Sequence, residues 1–245
     1  MEALLSLASV AVVSLVSFAG AATLVLNKNS LQKTLLVLVS FSAGALFGDA
    51  FLHLIPDLLE SSYACAELSV LAGIVLFFVM EKFLRWRHCH VLTSAQHTHP
   101  VAFINLVGDA THNFFDGAVI AGSFLASVPL GVATTVAVVL HEIPQELGDF
   151  GVLVHAGFKP EKALFYNFLS ALTAFAGCVA VLVLGSISPQ VSTLLIGVTA
   201  GGFIYIAGSD LIPELHKEAP LKKSVVQLAA MLAGMLVMQA LLFLE

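Results

Sequence analysis

Residues 141–150 read HEIPQELGDF and place one histidine, three acidic residues and a proline in an otherwise apolar region of the chain. The first five residues come within one position of HExxH, a helical motif whose two histidines bind zinc while its glutamate acts as a general base. Gln145 stands where that motif has its second histidine. The stretch therefore leaves two chemistries open: a hydrolytic zinc site with one ligand replaced, and a metal site with another purpose.

A second polar stretch, NLVGDATHNFFDG, occupies residues 105–117. In both stretches the polar side chains recur at helical intervals, so each stretch is predicted to form a helix with one polar face. We expect the two faces to point towards each other inside a helical bundle. Together they comprise Asn105, Asp109, His112, Asn113, Asp116, His141, Glu142, Gln145, Glu146 and Asp149.

Composition places these polar faces in a membrane protein. The 245 residues are 59% hydrophobic and only 11% charged, with a mean hydropathy of +0.99, whereas soluble domains are about 25% charged. A spanning helix needs roughly 20 mostly apolar residues, and the chain is predicted to be an all-α integral membrane protein with a single transmembrane domain over residues 1–245. The eight predicted transmembrane spans cover residues 3–26, 34–59, 66–85, 101–126, 130–157, 161–186, 190–214 and 221–244.

The basic residues predict the orientation of this bundle. All ten Lys and Arg residues fall on one side of the eight spans, in or beside the loops 1–2, 3–4, 5–6 and 7–8. Because basic loops remain in the cytoplasm, both termini are expected on the non-cytoplasmic side and the long loop 86–100 in the cytoplasm. The plasma or inner membrane is the expected location, with an organelle membrane as the alternative. We expect no nucleic-acid partner; the lipid bilayer is the expected surroundings.

The acidic residues of the two faces require positive charge that the spans do not supply. A carboxylate at a helix centre costs about 2.5–3.5 kcal/mol on the membrane-insertion scale, and no predicted span interior contains Lys or Arg. Protons or bound cations must therefore balance Asp116, Glu142 and Glu146. A polar network that merely holds helices together is the alternative, but several acids on two facing helices without a basic partner favour cation binding.

The ligand types indicate which cations these are. Imidazole, carboxylate and amide groups without a thiolate suit borderline divalent ions such as Zn²⁺, Fe²⁺ or Mn²⁺. Residues four apart on a helix lie on adjacent turns, so two neighbouring metal positions are possible. The pairs with this spacing are His112/Asp116, His141/Gln145 and Glu142/Glu146.

An internal repeat relates two of the predicted spans. Residues 43–58, AGALFGDAFLHLIPDL, and residues 200–215, AGGFIYIAGSDLIPEL, share Ala, Gly, Ala, Leu, Ile, Pro and Leu without gaps, and Asp57 matches Glu214. The first segment lies in span 2 and the second in span 7, which run in opposite directions. Spans 1–3 and 6–8 are therefore predicted to be inverted repeats around spans 4 and 5, an arrangement typical of transporters.

Three prolines interrupt the predicted spans. Pro144 lacks an amide proton, so it frees the carbonyl of Leu140 and is expected to kink span 5 inside the polar site. Pro56 and Pro213 are expected to kink spans 2 and 7 at matching positions of the repeat.

With these motifs in place, the sequence resembles the ZIP family of divalent metal transporters. HNFFDG at 112–117 and HEIPQELGDF at 141–150 are similar to the signatures of that family's fourth and fifth helices. The resemblance implies eight spans in a 3+2+3 arrangement, external termini, a homodimer, and elevator-like alternating access. It also implies transport of zinc, and in some members iron or manganese, towards the cytoplasm through a binuclear site; Cd²⁺ is a further expected substrate. The metal is cargo, and no cofactor is expected.

The resemblance also assigns residues to the two metal positions. Gln145 departs from a subfamily that has histidine there, and because an amide oxygen is a weaker ligand than imidazole, we expect it to tune affinity and metal preference. By resemblance the first position takes His112, Asp116, His141 and Gln145, and the second takes Asn113, Glu142 and Glu146 with Asp116 shared.

Further polar residues are candidates for the transport path or for weak metal binding. Asp57 is expected near the outer mouth and Glu214 near the inner one. Histidines in the loop 86–100 are expected to bind metal weakly on the cytoplasmic side. The path candidates are Asp49, His53, Asp57, Asp109, Asp149, Asp210 and Glu214, and the loop histidines are His88, His90, His97 and His99.

Three other functions compete with metal transport. An intramembrane metalloprotease would use His141 as a ligand and Glu142 as the base, but it leaves the polar face of span 4 unexplained. A receptor would bind metal without moving it. A sodium- or proton-coupled carrier of organic solutes would also use acids within the membrane, although it would not be expected to cluster histidines.

Overall fold

The computed structural model describes residues 1–24, 28–61, 67–86, 101–185, 189–216 and 220–244, and every regular element within those ranges is a helix. The all-α prediction is therefore confirmed. The α-helices are α1 (Glu2–Val16), α2 (Lys28–Asp49), α3 (Ile55–Glu60), α4 (Leu68–Trp86), α5 (Val101–Ala126), α6 (Val128–His155), α7 (Pro160–Ala171), α8 (Thr173–Gly185), α9 (Pro189–Tyr205), α10 (Ile212–Leu215) and α11 (Leu221–Leu241).

Five helical segments of the described chain are long and apolar enough to cross a membrane. The helices α4, α5 and α6 lie where spans 3, 4 and 5 are predicted, and for them membrane crossing stays a prediction. Of these three, α5 and α6 carry the two polar faces. The five segments are Glu2–Ala21, Lys33–Glu60, Pro160–Leu184, Thr193–Leu211 and Leu221–Leu241.

Glycines allow α2 and α11 to touch through their backbones. A Cβ atom added to Gly44 of α2 would lie 1.9 Å from the backbone oxygen of Met231 in α11. Reciprocally, a Cβ atom added to Gly234 of α11 would lie 2.2 Å from the backbone oxygen of Phe41 in α2. Both distances are far below a normal contact, so this crossing requires glycine on both helices.

The same reciprocal contact joins α4 and α9. A Cβ atom added to Gly73 of α4 would lie 2.3 Å from the backbone oxygen of Val198, and one added to Gly201 of α9 would lie 2.1 Å from that of Val70. Gly44 and Gly201 are equivalent in the internal repeat. The two crossings therefore use equivalent positions of the two repeat segments.

Each repeat segment also contains a π-helical turn directly before its proline. The π-turns are Ala50–Leu54, which leads into the helix with Pro56, and Ile206–Leu211, which leads into the helix with Pro213. A proline removes one backbone hydrogen bond and its ring crowds the preceding turn, and a wider turn relieves that crowding. The interruptions expected at these prolines thus take the form of a change in helix type.

The sixth predicted span is broken at Leu172, which the sequence pattern does not predict. The hydroxyl of Thr173 lies within hydrogen-bond distance of the backbone oxygens of Ser170 and Ala110, and the hydroxyl of Ser170 lies within that distance of the backbone oxygen of Asn167. Such side-chain bonds to the backbone compete with the helical pattern and bend helices. Just before the break, Ser170 of α7 contacts Asp109 of α5.

Candidate metal site

Four polar side chains from α5 and α6 converge in the middle of the bundle. One ligand atom from each of His112, Asp116, His141 and Glu142 lies within 4.8 Å of every other. We refer to these residues as the four-residue cluster. Asp116, His141 and Glu142 are buried, and His112 is partly exposed. The two polar faces predicted from the sequence therefore do meet.

The spacing within the cluster is that of ligands around one small cation. The Nε2 atoms of His112 and His141 are 3.2 Å apart, and Glu142 Oε1 lies 3.4 Å from each of them. Asp116 Oδ2 lies 3.3 Å from His141 Nε2 and 3.8 Å from His112 Nε2. Ligands at about 2.0–2.1 Å from a tetrahedral zinc are about 3.3–3.4 Å from one another, so the four atoms fit a single ion.

A backbone contact sets the orientation of one imidazole. His141 Nδ1 lies 3.2 Å from the backbone oxygen of Ala137, and because a carbonyl only accepts, Nδ1 carries the proton and donates it. A neutral His141 then presents the Nε2 lone pair to the cluster. Metal-binding histidines are commonly fixed by such a bond from the other ring nitrogen.

Three carboxylate oxygens of the cluster lack a hydrogen-bond partner. Asp116 Oδ2 and both carboxylate oxygens of Glu142 are buried without one, and neither α5 nor α6 contains Lys or Arg. A buried charge is stable only when paired or bound to a metal. The donor set therefore has the composition and the unmet charge of a cation site.

The residues expected at a second metal position lie beside the cluster. Asn113 Oδ1 and Glu146 Oε1 are buried and without a hydrogen-bond partner. The amide of Asn113 donates to Asp109 Oδ1 at 2.7 Å, which leaves its oxygen turned elsewhere. Glu142, expected at the second position, contributes Oε1 to the first cluster, and its Oε2 remains available.

Two residues of α7 support this second group and are not singled out by the sequence pattern. Asn167 donates from Nδ2 to Glu146 Oε2, and Ser170 donates from Oγ to Asp109 Oδ2. Both lie in an apolar segment as isolated polar residues, and such residues are more often simple helix contacts. Their burial against acids of α5 and α6 appears only in the folded chain.

A serine of α2 reaches the point where Pro144 interrupts the hydrogen bonding of α6. Helix α6 continues through Pro144. The hydroxyl of Ser42 lies 2.6 Å from the backbone oxygen of Leu140, the carbonyl that the proline is predicted to free. A neighbouring span thus supplies the donor that α6 lacks.

The sequence profile of one family, ZIP Zinc transporter, matches residues 2–101 and 87–242. The chain belongs to the ZIP zinc transporter family. The resemblance noted from HNFFDG and HEIPQELGDF is therefore confirmed at the level of the family.

Individual relatives extend this family match over most of the chain. Zinc transporter zipt-7.2 of Caenorhabditis elegans is 31% identical over 272 residues, covering 86% of this chain and 59% of that protein. Zinc transporter SLC39A7 of Mus musculus is 30% identical over 307 residues, covering 87% and 64%. IAA-alanine resistance protein 1 of Arabidopsis thaliana is 46% identical over 136 residues, covering 54% and 29%. The chain spans less than two thirds of the length of each of these three relatives.

In this ZIP family member the cluster borders, through His112, an open cavity of about 340 Å³. The cavity lies towards the helix ends that carry the basic residues, and His112 forms part of its wall. Gln145, one turn after His141, lines it as well and is half-buried. The other polar residues that line it include Glu81, Asn105, Asp109, Asp149, Tyr205 and Asp210.

A second cavity of about 410 Å³ lies towards the opposite helix ends. It is lined by His53, Asp57 and Glu60, together with Ser127 of the turn between α5 and α6. None of the four cluster residues lines it. His53 is buried and donates from Nε2 to the backbone oxygen of Met238 at 2.9 Å.

The remaining path candidates fall into three groups. Asp109, Asp149 and Asp210 line the first cavity, and Asp49 is fully buried without lining either cavity. Glu214 lies in α10, but its side chain is outside the described part of the structure. The loop residues His88, His90, His97 and His99 also lie outside the described residues.

Proposed function

We propose that this chain carries divalent metal cations across a membrane towards the cytoplasm, with Zn²⁺ as the main cargo and Fe²⁺, Mn²⁺ or Cd²⁺ as further substrates. The ion passes between α5 and α6 through two neighbouring positions, and access alternates between the two sides of the membrane. The protein acts as a transporter and not as an enzyme, in the plasma or inner membrane, as a homodimer.

The observation that carries this proposal is the buried four-residue cluster with its unpartnered carboxylate oxygens. Two histidines and two acids on adjacent helices lie at the spacing of ligands around one ion. Without a cation, the buried charge of Asp116 and Glu142 is opposed by the low polarity of the bundle. A bound divalent cation would supply the positive charge that balances these two carboxylates.

Two metal positions are supported by how the unpartnered oxygens are distributed. The first position uses the four-residue cluster, with Gln145 at its cavity side. The second uses the free oxygens of Asn113 and Glu146 and the second oxygen of Glu142. This arrangement makes Glu142 a bridge between the positions, in addition to the sharing of Asp116 that the family resemblance implies.

The two cavities support a path through the molecule. The cavity beside the cluster lies near the basic helix ends, which the positive-inside rule assigns to the cytoplasm. The second cavity lies at the opposite ends and presents His53, Asp57 and Glu60 to an incoming cation. Eight spans and inverted repeats are supported by the equivalent glycine crossings and π-turns of α2–α3 and α9–α10. The names of two relatives as zinc transporters favour zinc among the possible ions.

The test is metal uptake into proteoliposomes that contain the purified chain and a metal-sensing dye. We expect zinc flux, with competition by Fe²⁺, Mn²⁺ and Cd²⁺. Gln145→His should lower the KM for zinc more than that for manganese, because imidazole suits zinc and not manganese; about 1 kcal/mol of added binding corresponds to roughly fivefold.

His141→Ala serves as the variant that removes the site. It should abolish saturable flux while the protein remains folded in detergent. Zinc binding by the wild-type chain without any flux would contradict the transport proposal and favour a receptor. Peptide cleavage that depends on Glu142, again without flux, would favour the metalloprotease.

A further inference from the structure

Ser42 of α2 contacts the backbone of α6 directly before the cluster residue His141. Its Oγ atom lies 2.6 Å from the backbone oxygen of Leu140 in α6 and 2.8 Å from that of Leu38 in its own helix. Ser42 is fully buried. A hydroxyl has only one proton to donate. Which of the two carbonyls depends on it is decided by whether each carbonyl has another donor within its own helix.

The two acceptors differ in their helical partners. The regular donor to Leu38 is the amide of Ser42 itself, four residues later in a continuous helix. The regular donor to Leu140 would be the amide of residue 144, which is a proline and has no amide proton. A carbonyl left unsatisfied inside a membrane protein is costly. The proton of Ser42 is therefore needed at Leu140.

The freed carbonyl belongs to the peptide that joins Leu140 to His141. Whatever fixes this carbonyl also fixes the plane of that peptide and the direction in which His141 leaves the helix. The imidazole is oriented from its other side by the bond from Nδ1 to Ala137. Two hydrogen bonds, one from outside α6 and one within it, thus set the direction of the ligand atom Nε2.

We propose that Ser42 is a positioning residue of the metal site: its hydroxyl replaces the amide proton that Pro144 lacks and holds the peptide before His141 in place. The role rests on the proposed metal transport, but the hydrogen bond itself can be tested independently of transport. Ser42 touches no metal ligand side chain in this role. It acts through the backbone of α6 and ties α2 to the helix that carries half of the cluster.

A double-mutant cycle between Ser42 and Pro144 isolates this bond. Ser42→Ala in the wild-type background should raise the KM for zinc uptake about threefold to tenfold, with a smaller change in the maximum rate, as expected for one hydrogen bond between membrane helices. In the Pro144→Ala background the amide of residue 144 satisfies Leu140, so Ser42→Ala should change the KM less than about twofold.

Ser40→Ala is the matched control. Ser40 is also fully buried in α2, but its hydroxyl donates to Leu36 in the same helix at 2.7 Å. This variant should leave the KM for zinc unchanged. An equal effect of Ser40→Ala and Ser42→Ala, or an equal effect of Ser42→Ala in both backgrounds, would overturn the proposal.

The same cycle can be measured by thermal unfolding of the purified variants in detergent, without metal. Ser42→Ala should lower the unfolding temperature in the wild-type background and have little effect beside Pro144→Ala. If the wild-type chain shows no flux, the transport proposal fails and this cycle still decides the role of Ser42. If the shift in unfolding temperature of the double variant equals the sum of the shifts of Ser42→Ala and Pro144→Ala, the proposed role of Ser42 is wrong.

Discussion

At the level of single residues, the cluster brings together two carboxyl groups and two imidazoles whose close approach is stable only when positive charge balances the acids. The carboxylates of Asp116 and Glu142 lie close to the same two imidazole nitrogens, and their unpartnered oxygens are sealed from water. If both acids are ionised, they repel each other in a bundle of low polarity, and either a proton or a bound cation removes that repulsion. In the proposed transport the two acids are metal ligands, so the charge that destabilises the metal-free protein would contribute to metal binding.

Glu142→Gln should separate these two effects. The amide cannot ionise, so the metal-free protein should unfold at the same temperature as the wild type where Glu142 is protonated, and at a temperature higher by up to a few degrees where Glu142 is charged, since 1 kcal/mol corresponds to about 2–4 °C for a chain of this size. Zinc at about 100 times the wild-type Kd should stabilise the wild type by about 2.7 kcal/mol, and a variant whose Kd is tenfold weaker by only about 1.4 kcal/mol. Thermal unfolding in detergent, in mildly alkaline buffer with and without zinc, measures both.

Glu67→Gln is the control for this comparison. Glu67 is exposed in the turn before α4 and lines neither of the two cavities. Its replacement should change neither the metal-free unfolding temperature nor the shift caused by zinc. A metal-free Glu142→Gln protein that unfolds at a lower temperature than the wild type would show that Glu142 is a structural partner and not an unmet charge.

The sequence predicts most of this site but not all of its partners. Helical spacing alone places His112, Asp116, His141 and Glu142 on facing surfaces, because the positions on each helix are fixed by its period. It does not fix how closely the two helices approach, so the role of Glu142 in the first cluster appears only in the structure. The contact of Asn167 with Glu146 depends on how α7 packs against α6, which no periodic pattern indicates.

At the level of elements, the helix bounds follow from the sequence to within a few residues, but their irregularities do not. Span 4 is predicted at 101–126 and observed as Val101–Ala126. The π-turns and the break at Leu172 depend on local hydrogen bonds that hydropathy does not register. The glycine crossings depend on which residues of two distant helices come into contact. Both kinds of feature are set by packing.

Gly44→Ala tests the crossing of α2 and α11. The added methyl group would lie 1.9 Å from the backbone oxygen of Met231, and backbone cannot move aside as a side chain can. Overpacking of this kind costs about 1–3 kcal/mol, so the unfolding temperature of the purified protein should fall by several degrees.

Gly151→Ala is the matched substitution within α6. Nothing lies within 4 Å of the position that its Cβ would take, and alanine is favoured over glycine in a helix by up to about 1 kcal/mol. This variant should be as stable as the wild type or more so. A similar loss of stability in both variants would show that helix flexibility, and not the close crossing, explains the effect at Gly44.

At the level of the whole molecule, the two cavities give the proposed path its two ends. Of these two cavities, the one near the basic helix ends is lined by a cluster residue, His112, and the other is not. In the conformation described here the metal would therefore exchange with that side, while His53 and Asp57 line a space separated from the cluster. Alternating access requires a second conformation in which the cluster borders the opposite cavity, and the tie from Ser42 to α6 would have to change with it.

The sides of the two cavities can be assigned by labelling single cysteines. In a chain whose native Cys65, Cys89 and Cys178 are replaced by serine, Asp57→Cys reports on one cavity and Asp210→Cys on the other. In the predicted topology all Lys and Arg residues are on the side of Asp210, so a membrane-impermeant maleimide should modify Asp57→Cys in right-side-out vesicles. It should modify Asp210→Cys only in inside-out vesicles.

Lys162→Cys, at the basic end of α7, fixes the orientation of the vesicles and should behave like Asp210→Cys. Zinc flux by the cysteine-free chain is required before the labelling is compared. Modification of Asp57→Cys and Asp210→Cys from the same side would contradict a path with one cavity at each end. The reverse pattern would keep the path but place both termini in the cytoplasm, and the cavity beside the cluster would then face the outside.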